Sequence, residues 1–309
     1  MGGGRWDAGD WAKYSTSKSY ATKSVGAIYT SRSIHADLNP NGVTTRESRD
    51  SADNPNSTPL IVALDVTGSM SCVLDVVAKT GLNTLASEIY GRKPIVDPHL
   101  MVMGIGDVAA GDNAPLQVSQ FEADLRIAQQ LENIYLEQGG GGNDSESYAL
   151  AWYFAGTHTA TDSFEKRSKK GYLFTIGDEM PTPNLTAKEI ERVLGYAPQT
   201  DFTGEQLLTM ALRQWEVFHL IVEEGNFCRS RGKDNVYEAW AKLLGQRALR
   251  LSDHTKLAEV IVSTLQICEG HHYSRVVDSW DGSTALVVKH ALDSLSVVST
   301  EENTGIVKL

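Results

Sequence analysis

The chain has 309 residues, 41% of them hydrophobic and 22% charged, which is enough apolar material for one large core with appendages and excludes global disorder. Its 28 Lys and Arg against 39 Asp and Glu give a formal charge of -11, a field that repels phosphate backbones and argues against generic nucleic-acid coating. No stretch reaches the roughly 20 apolar residues of a membrane-spanning helix, the first residues lack a signal-peptide apolar run, and Cys72, Cys228 and Cys268, odd in number and far apart, read as reduced core thiols of a cytoplasmic protein.

Residues 1–58 are rich in Ser, Thr, Gly and Asp, with aromatics at Trp6, Trp11, Tyr14, Tyr20 and Tyr29. They read as an N-terminal arm, either an extended segment laying its aromatics on the main domain or a basic and hydroxyl-bearing arm that contacts a partner or phosphate. From Pro59 onward, apolar runs alternate with helical periodicity, which predicts an α/β domain at 59–270: a doubly wound, mostly parallel six-stranded sheet with helices on both faces. Strands are expected at Pro59 to Leu64, Leu100 to Ile105, Leu116 to Phe121, Tyr172 to Ile176, Val217 to Val222 and Ala248 to Leu251. Met70 to Tyr90 reads as a helix with Val73, Leu74, Val77, Leu82, Leu85 and Ile89 on one stripe. Further helices are expected over Ala123 to Glu137, from about Ser147, over Val236 to Leu244 and over Thr255 to Ile267. One or two short ones are expected between Pro181 and Pro198. The C-terminal extension, 271–309, carries one helix near Thr284 to Leu295.

Ligands of open parallel sheets gather beyond the carboxyl ends of the strands. Three such ends here carry matched oxygen donors: Asp65-Val66-Thr67-Gly68-Ser69, the run Gly139 to Gly142 opening onto Asn143-Asp144-Ser145-Glu146, and Gly177-Asp178. Oxygen-only donors, few of them charged, suit a hard cation, with magnesium ahead of manganese or calcium. Taken singly, Asp65 or Ser69 also suits a plain helix cap; the three loops together favour the cation. Asp107 ends a strand expected beside the first, and it suits either a carboxylate behind the ion or a cap of its own loop. His219 reads as a core histidine, His271-His272 as an exposed pair, and Cys72 as packing.

Asp65, Thr67 and Ser69 resemble the D-x-T-G-S form of the metal-ion-dependent adhesion site of von Willebrand factor A domains. Gly177-Asp178 resembles that family's third loop, and the order of elements over about two thirds of the chain is similar to its Rossmann-like fold. The resemblance implies Thr67 and Ser69 as direct ligands, with Asp65 and Asp178 acting through water. Gly140-Gly141-Gly142-Asn143-Asp144-Ser145-Glu146 resembles the G-G-G-D-x-P-E loop of alpha-kinase-type members, which implies Asn143 at the ion with Glu146 behind it; a one-residue shift uses Asp144 instead. By the same resemblance the open position takes an Asp or Glu of a partner protein, and ring-forming ATPases of the MoxR type are among the partners implied.

The function expected is therefore a non-enzymatic, metal-dependent protein-interaction or scaffold module. Two alternatives differ in class. In a haloacid-dehalogenase-like phosphohydrolase Asp65 would be the nucleophile, although Val66 stands where those enzymes use Lys. An RNA-protein scaffold would use the N-terminal arm.

Overall fold

The computed structural model describes residues 4–137 and 143–299, without the side chains of Ser69, Ser71 and 296–299. The run Gly139 to Gly142 thus lies outside the described residues. Six strands form the central sheet: β1 (Thr58–Asp65), β2 (Pro98–Ile105), β3 (Leu116–Val118), β4 (Gly171–Gly177), β5 (Trp215–Val222) and β6 (Ala248–Leu251), in the order β6-β5-β4-β1-β2-β3. All neighbours are parallel except β3, which runs antiparallel to β2. β1 is buried at every position, as an unbroken apolar run must be when both faces are covered. The sheet ends on its two shortest strands, which limits the unpaired edge it exposes.

Alternate residues feed two separate cores. Leu60, Val62 and Leu64 of β1 join Leu100, Val102, Phe174 and Phe218 under the helices Leu82–Arg92 and Leu257–Cys268. Ile61 and Ala63 join Met101, Met103, Leu173 and Val217 under Tyr148–Thr157, Gly204–Ala211 and Lys233–Leu244. Helices on both faces of a mostly parallel sheet make this a doubly wound α/β fold. Among the described residues no helix is long and apolar enough to cross a membrane.

Three elements differ from the sequence expectation in instructive ways. The helix after β1 is α-helical over Ser71–Val76 and Leu82–Arg92, with a π-helical turn at Val77–Gly81 between them. At about 100° per residue, an unbroken α-helix would centre Val73, Leu74 and Val77 near roughly 50° and Leu82, Leu85 and Ile89 near roughly 150°. The wide turn absorbs one residue and returns both groups to one stripe. Between Ala123 and Glu137, only Arg126–Leu131 is helical. The Gln117 side chain accepts from the Tyr135 N–H and donates to the Tyr135 carbonyl, both at 2.8 Å, and Glu137 accepts from the Ala114 N–H at 2.7 Å. These bonds draw the second half of the segment onto the sheet edge.

The arm, in turn, is helical over Ala8–Lys18, capped by Asp7, and buries Trp11, Tyr20, Ile28, Tyr29 and Leu38 in the first core. Part of its polar rhythm serves internal contacts: Lys18 pairs with Glu132 at 2.9 Å, Tyr14 and Tyr20 donate to the same carboxylate, and Ser31 donates to the Asn133 carbonyl. At the other end, Val288, Ala291, Leu292 and Leu295 of the helix Gly282–Ser299 enter that core too. Trp11 is 5% exposed, so Trp11→Ala is expected to cost about 3 kcal/mol in urea unfolding. A change within error would mean that the arm is not part of the folding unit.

Candidate functional site

The chain order reverses between β1 and β4, and open α/β sheets collect ligands beyond the strand ends at such a point. Asp65 closes β1, and Asp178 follows β4 directly beside it. Both are wholly buried, with Thr67 3% exposed. Asp65 Oδ1 accepts from the Thr67 N–H at 2.9 Å and the Thr67 hydroxyl at 2.6 Å, while its Oδ2 accepts from the Tyr148 hydroxyl at 3.3 Å. Asp178 Oδ2 accepts from the Phe227 N–H at 2.7 Å. Glycine makes this crowding feasible at two places. A Cβ on Gly177 would sit 1.9 Å from the Tyr148 hydroxyl oxygen, and one on Gly225 would sit 2.2 Å from Asp178 Cβ.

A second group forms at the end of β2. Asp107 Oδ1 accepts from the Ala109 N–H at 2.8 Å and the Ser147 hydroxyl at 3.3 Å, while its Oδ2 accepts from the Asn143 amide at 2.5 Å. Asp107 thus both caps its own loop and anchors the start of Tyr148–Thr157. Arg192 holds that loop from outside, donating to the carbonyls of Val108, Gly111 and Asp112. Glu146 is 2% exposed, and its Oε2 has no hydrogen-bond partner. Asp144 turns away from this group to the rim, where Arg231 pairs with it at 2.6 Å. The Ser69 side chain lies outside the described residues.

The electrostatics follow from burying like charges together. Burial pushes the Asp65 carboxyl up from the usual range, against the two hydrogen bonds from Thr67, and the Asp178 charge adds to the rise. Burial raises Glu146 further, with the charges of Asp65, Glu179, Asp107 and Asp112 adding to it. Glu179 is pushed up to about 8, first by burial and then by Asp65, Asp178, Asp107 and Asp144. The partners that hold Asp65 and Asp107 are hydroxyls and amides, which orient carboxylates without neutralising them. A cation does neutralise them, and the hydroxyl of Thr67, which donates to Asp65, is a hard oxygen of the kind such an ion takes. Among the described residues, the carboxylates here do not bring three ligand atoms within 4.8 Å of one another.

The structure thus brings together Asp65 with Thr67 and Asp178, and Asp107 with Asn143, whereas it directs Asp144 elsewhere. Sequence reasoning missed Tyr148, whose hydroxyl also accepts from the Glu179 N–H at 3.4 Å, and Glu179, whose carbonyl takes the Trp240 indole N–H at 2.8 Å. Glu179 carried a signal in following Asp178 directly; Tyr148 carried none beyond opening a helix. His219 is wholly buried in the core, its ring stacked 3.5 Å from that of Trp240 and its Nδ1 bonded to Thr175, but its Nε2 has no hydrogen-bond partner. Of the three cysteines expected in the core, Cys228 is buried, Cys268 is intermediate and Cys72 is exposed. Cys72, read as packing, is instead exposed, since Val73 and Leu74 beside it take the inward positions of that turn.

No protein-family model matches this chain, and no curated protein does. Among solved structures it is similar to the pilus adhesin SpaC of Lactobacillus rhamnosus GG. The open conformation matches at 9% identity with a TM-score of 0.48, over 72% of this chain and 31% of that one. A second form matches at 8% identity with a TM-score of 0.45, over 72% and 32%. The chain spans about a third of the length of those adhesin chains.

Raised folded-state values mean that, without a cation, these carboxyls bind more protons in the native state than in the unfolded one above about pH 4, whereas His158 and His219, lowered by burial, act in the opposite sense below about pH 6.5. Stability then falls as pH rises through the native value of about 8 for Glu179 and beyond it for Glu146. In chelator the melting temperature is expected to drop between pH 5 and pH 8, and Glu146→Gln should flatten that slope. Magnesium should restore more at pH 8 than at pH 5. A flat profile in chelator would overturn this account of the site.

Proposed function

We propose that the chain is a metal-dependent protein-interaction module of von Willebrand factor A type, which binds an acidic side chain of a partner through a divalent cation at the Thr67 loop. One observation carries this reading: carboxylates buried at the switch point around a hydroxyl loop, with Glu146 Oε2 left unpartnered among them. Buried anions without counter-charge are costly, and a divalent ion offsets that cost where water is excluded. Thr67 would touch the ion. Asp65 and Asp178 would hold its waters, with Asp107, Asn143 and Glu146 behind the second loop. The ion would supply an electrophilic position that an incoming carboxylate completes, and hard oxygen donors favour magnesium over softer metals.

The geometry of Asp65 favours this reading over phosphoryl transfer. A nucleophilic carboxylate must present a free oxygen to its substrate, but Asp65 is wholly buried with one oxygen held by two Thr67 donors and the other facing Tyr148.

Asp65→Ala and Thr67→Ala are each expected to weaken magnesium binding by about tenfold or more in calorimetry. Both should also abolish any partner retained from a lysate of the native host in magnesium but released by chelator. Unchanged magnesium binding in both variants would refute the proposal, and so would retention that ignores chelator.

A further inference from the structure

Tyr148 is the first residue of the helix that leaves the second loop, and its phenol is wholly buried at the switch point. The hydroxyl joins two other loops: it donates to Asp65 Oδ2 at 3.3 Å and accepts from the Glu179 N–H at 3.4 Å. Aromatic packing fixes where that hydroxyl can be. The ring meets His219 edge-on at 4.9 Å and Trp240 edge-on at 5.4 Å, and those two stack on each other at 3.5 Å, so they form one wall. The wall is itself anchored, since His219 Nδ1 bonds with Thr175 at 2.9 Å and the Trp240 indole N–H donates to the Glu179 carbonyl at 2.8 Å. Gly177 lies so close to the phenol that a methyl group there would overlap the ring.

A buried tyrosine hydroxyl needs a hydrogen-bond partner, but a phenylalanine would fill the same aromatic wall without that need. What the hydroxyl adds is a second point of attachment for Asp65. An ionised carboxylate has about four lone-pair sites. The two donors of Thr67 both fall on Oδ1, and alone they would leave the group free to swing about that oxygen. Tyr148 holds Oδ2 as well, so the plane of the carboxylate is fixed and, among the described residues, one site on Oδ2 is left over. That site suits a single water of a cation. Through the Glu179 N–H the same hydroxyl ties Asp65 to the residue that follows Asp178. One phenol therefore joins the first-loop carboxylate to the loop that carries the second.

Orientation of this kind decides between metals. Magnesium demands near-ideal octahedral geometry and keeps several waters, whereas calcium accepts flexible shells. A carboxylate locked in direction serves the ion with strict geometry; one free to turn serves calcium nearly as well. Hydrogen-bonded partners of this sort orient the groups that hold a metal and its waters. Building on the cation site proposed above, we propose that Tyr148 is its positioning residue: the hydroxyl locks Asp65 and thereby gives the site a preference for magnesium over calcium. Tyr148 acts through Asp65 and touches no ion itself.

Calorimetry on the full chain, with magnesium and calcium titrated separately, reads this preference directly. Tyr148→Phe keeps the ring and removes only the hydroxyl. It is expected to weaken magnesium binding by about tenfold and calcium binding by no more than about threefold, so the ratio of the two affinities falls. Trp240→Phe leaves the hydroxyl but frees the Glu179 carbonyl, and should move the ratio the same way; it decides the matter if Tyr148→Phe loses the far-UV circular dichroism of the unaltered chain. Magnesium affinity unchanged in the folded variant would overturn the proposal. So would both ions weakened in equal proportion, which would assign Tyr148 to packing alone. An unaltered chain that binds neither ion would sink the cation site and this inference with it.

Discussion

The interaction on which the site depends is repulsion among carboxylates that the fold forces into one dry place. Asp65, Asp107, Glu146 and Asp178 sit at strand or helix ends with almost no exposure, where Coulomb energies are several-fold larger than in water. Asp65, Asp107 and Asp178 are held there by hydroxyl, amide or backbone N–H donors, while Glu146 Oε2 has no partner. The surrounding sequence serves that confinement. Gly177 makes room for Tyr148, Gly225 makes room for Asp178, and Arg192 clamps the loop that carries Asp107. Protons relieve that repulsion in part, as the raised carboxyl values of Asp65, Glu146 and Glu179 show, and a divalent ion is the alternative that the proposed function invokes.

The layered architecture was legible in the sequence because it rests on periodicity. The β1 run from Leu60 to Leu64 has no polar interruption, and the alternation of such runs with amphipathic segments leaves few options besides a covered parallel sheet. The polar strand ends were legible for the same reason: Asp65 and Asp178 stand where the apolar runs stop. What was not legible depends on long-range pairing. Nothing local in Ala123 to Glu137 reveals that Gln117 will take the Tyr135 backbone, and nothing around Tyr148 shows that its hydroxyl reaches Asp65 across 83 positions.

The arm lays its aromatics on the main domain as its sequence suggests, but as a helix rather than an extended segment. Its mean polarity is that of a solvated segment, yet a few large aromatics dominate burial because each removes far more apolar surface than a small polar residue adds. Trp11, Tyr20 and Tyr29, with Ile28 and Leu38, join it to the first core, and polar residues between them find partners such as Glu132. Both the arm and the helix Gly282–Ser299 enter that same core. The last part of the arm turns to the opposite face, where Val43 packs on the second core and Arg46–Ser48 pairs in parallel with Thr159–Thr161.

The π-helical turn at Val77–Gly81 has a meaning for the length of the chain as well as for its shape. A single wide turn is topologically a one-residue insertion in an α-helix, and here the apolar residues on its two sides share a face only because that extra residue is taken up. The segment that leaves the Thr67 loop is thus one residue longer than a regular helix joining the same two ends. Removing one residue from the turn would leave both faces in phase, whereas adding one, or removing two, would swing Leu82, Leu85 and Ile89 out of the core.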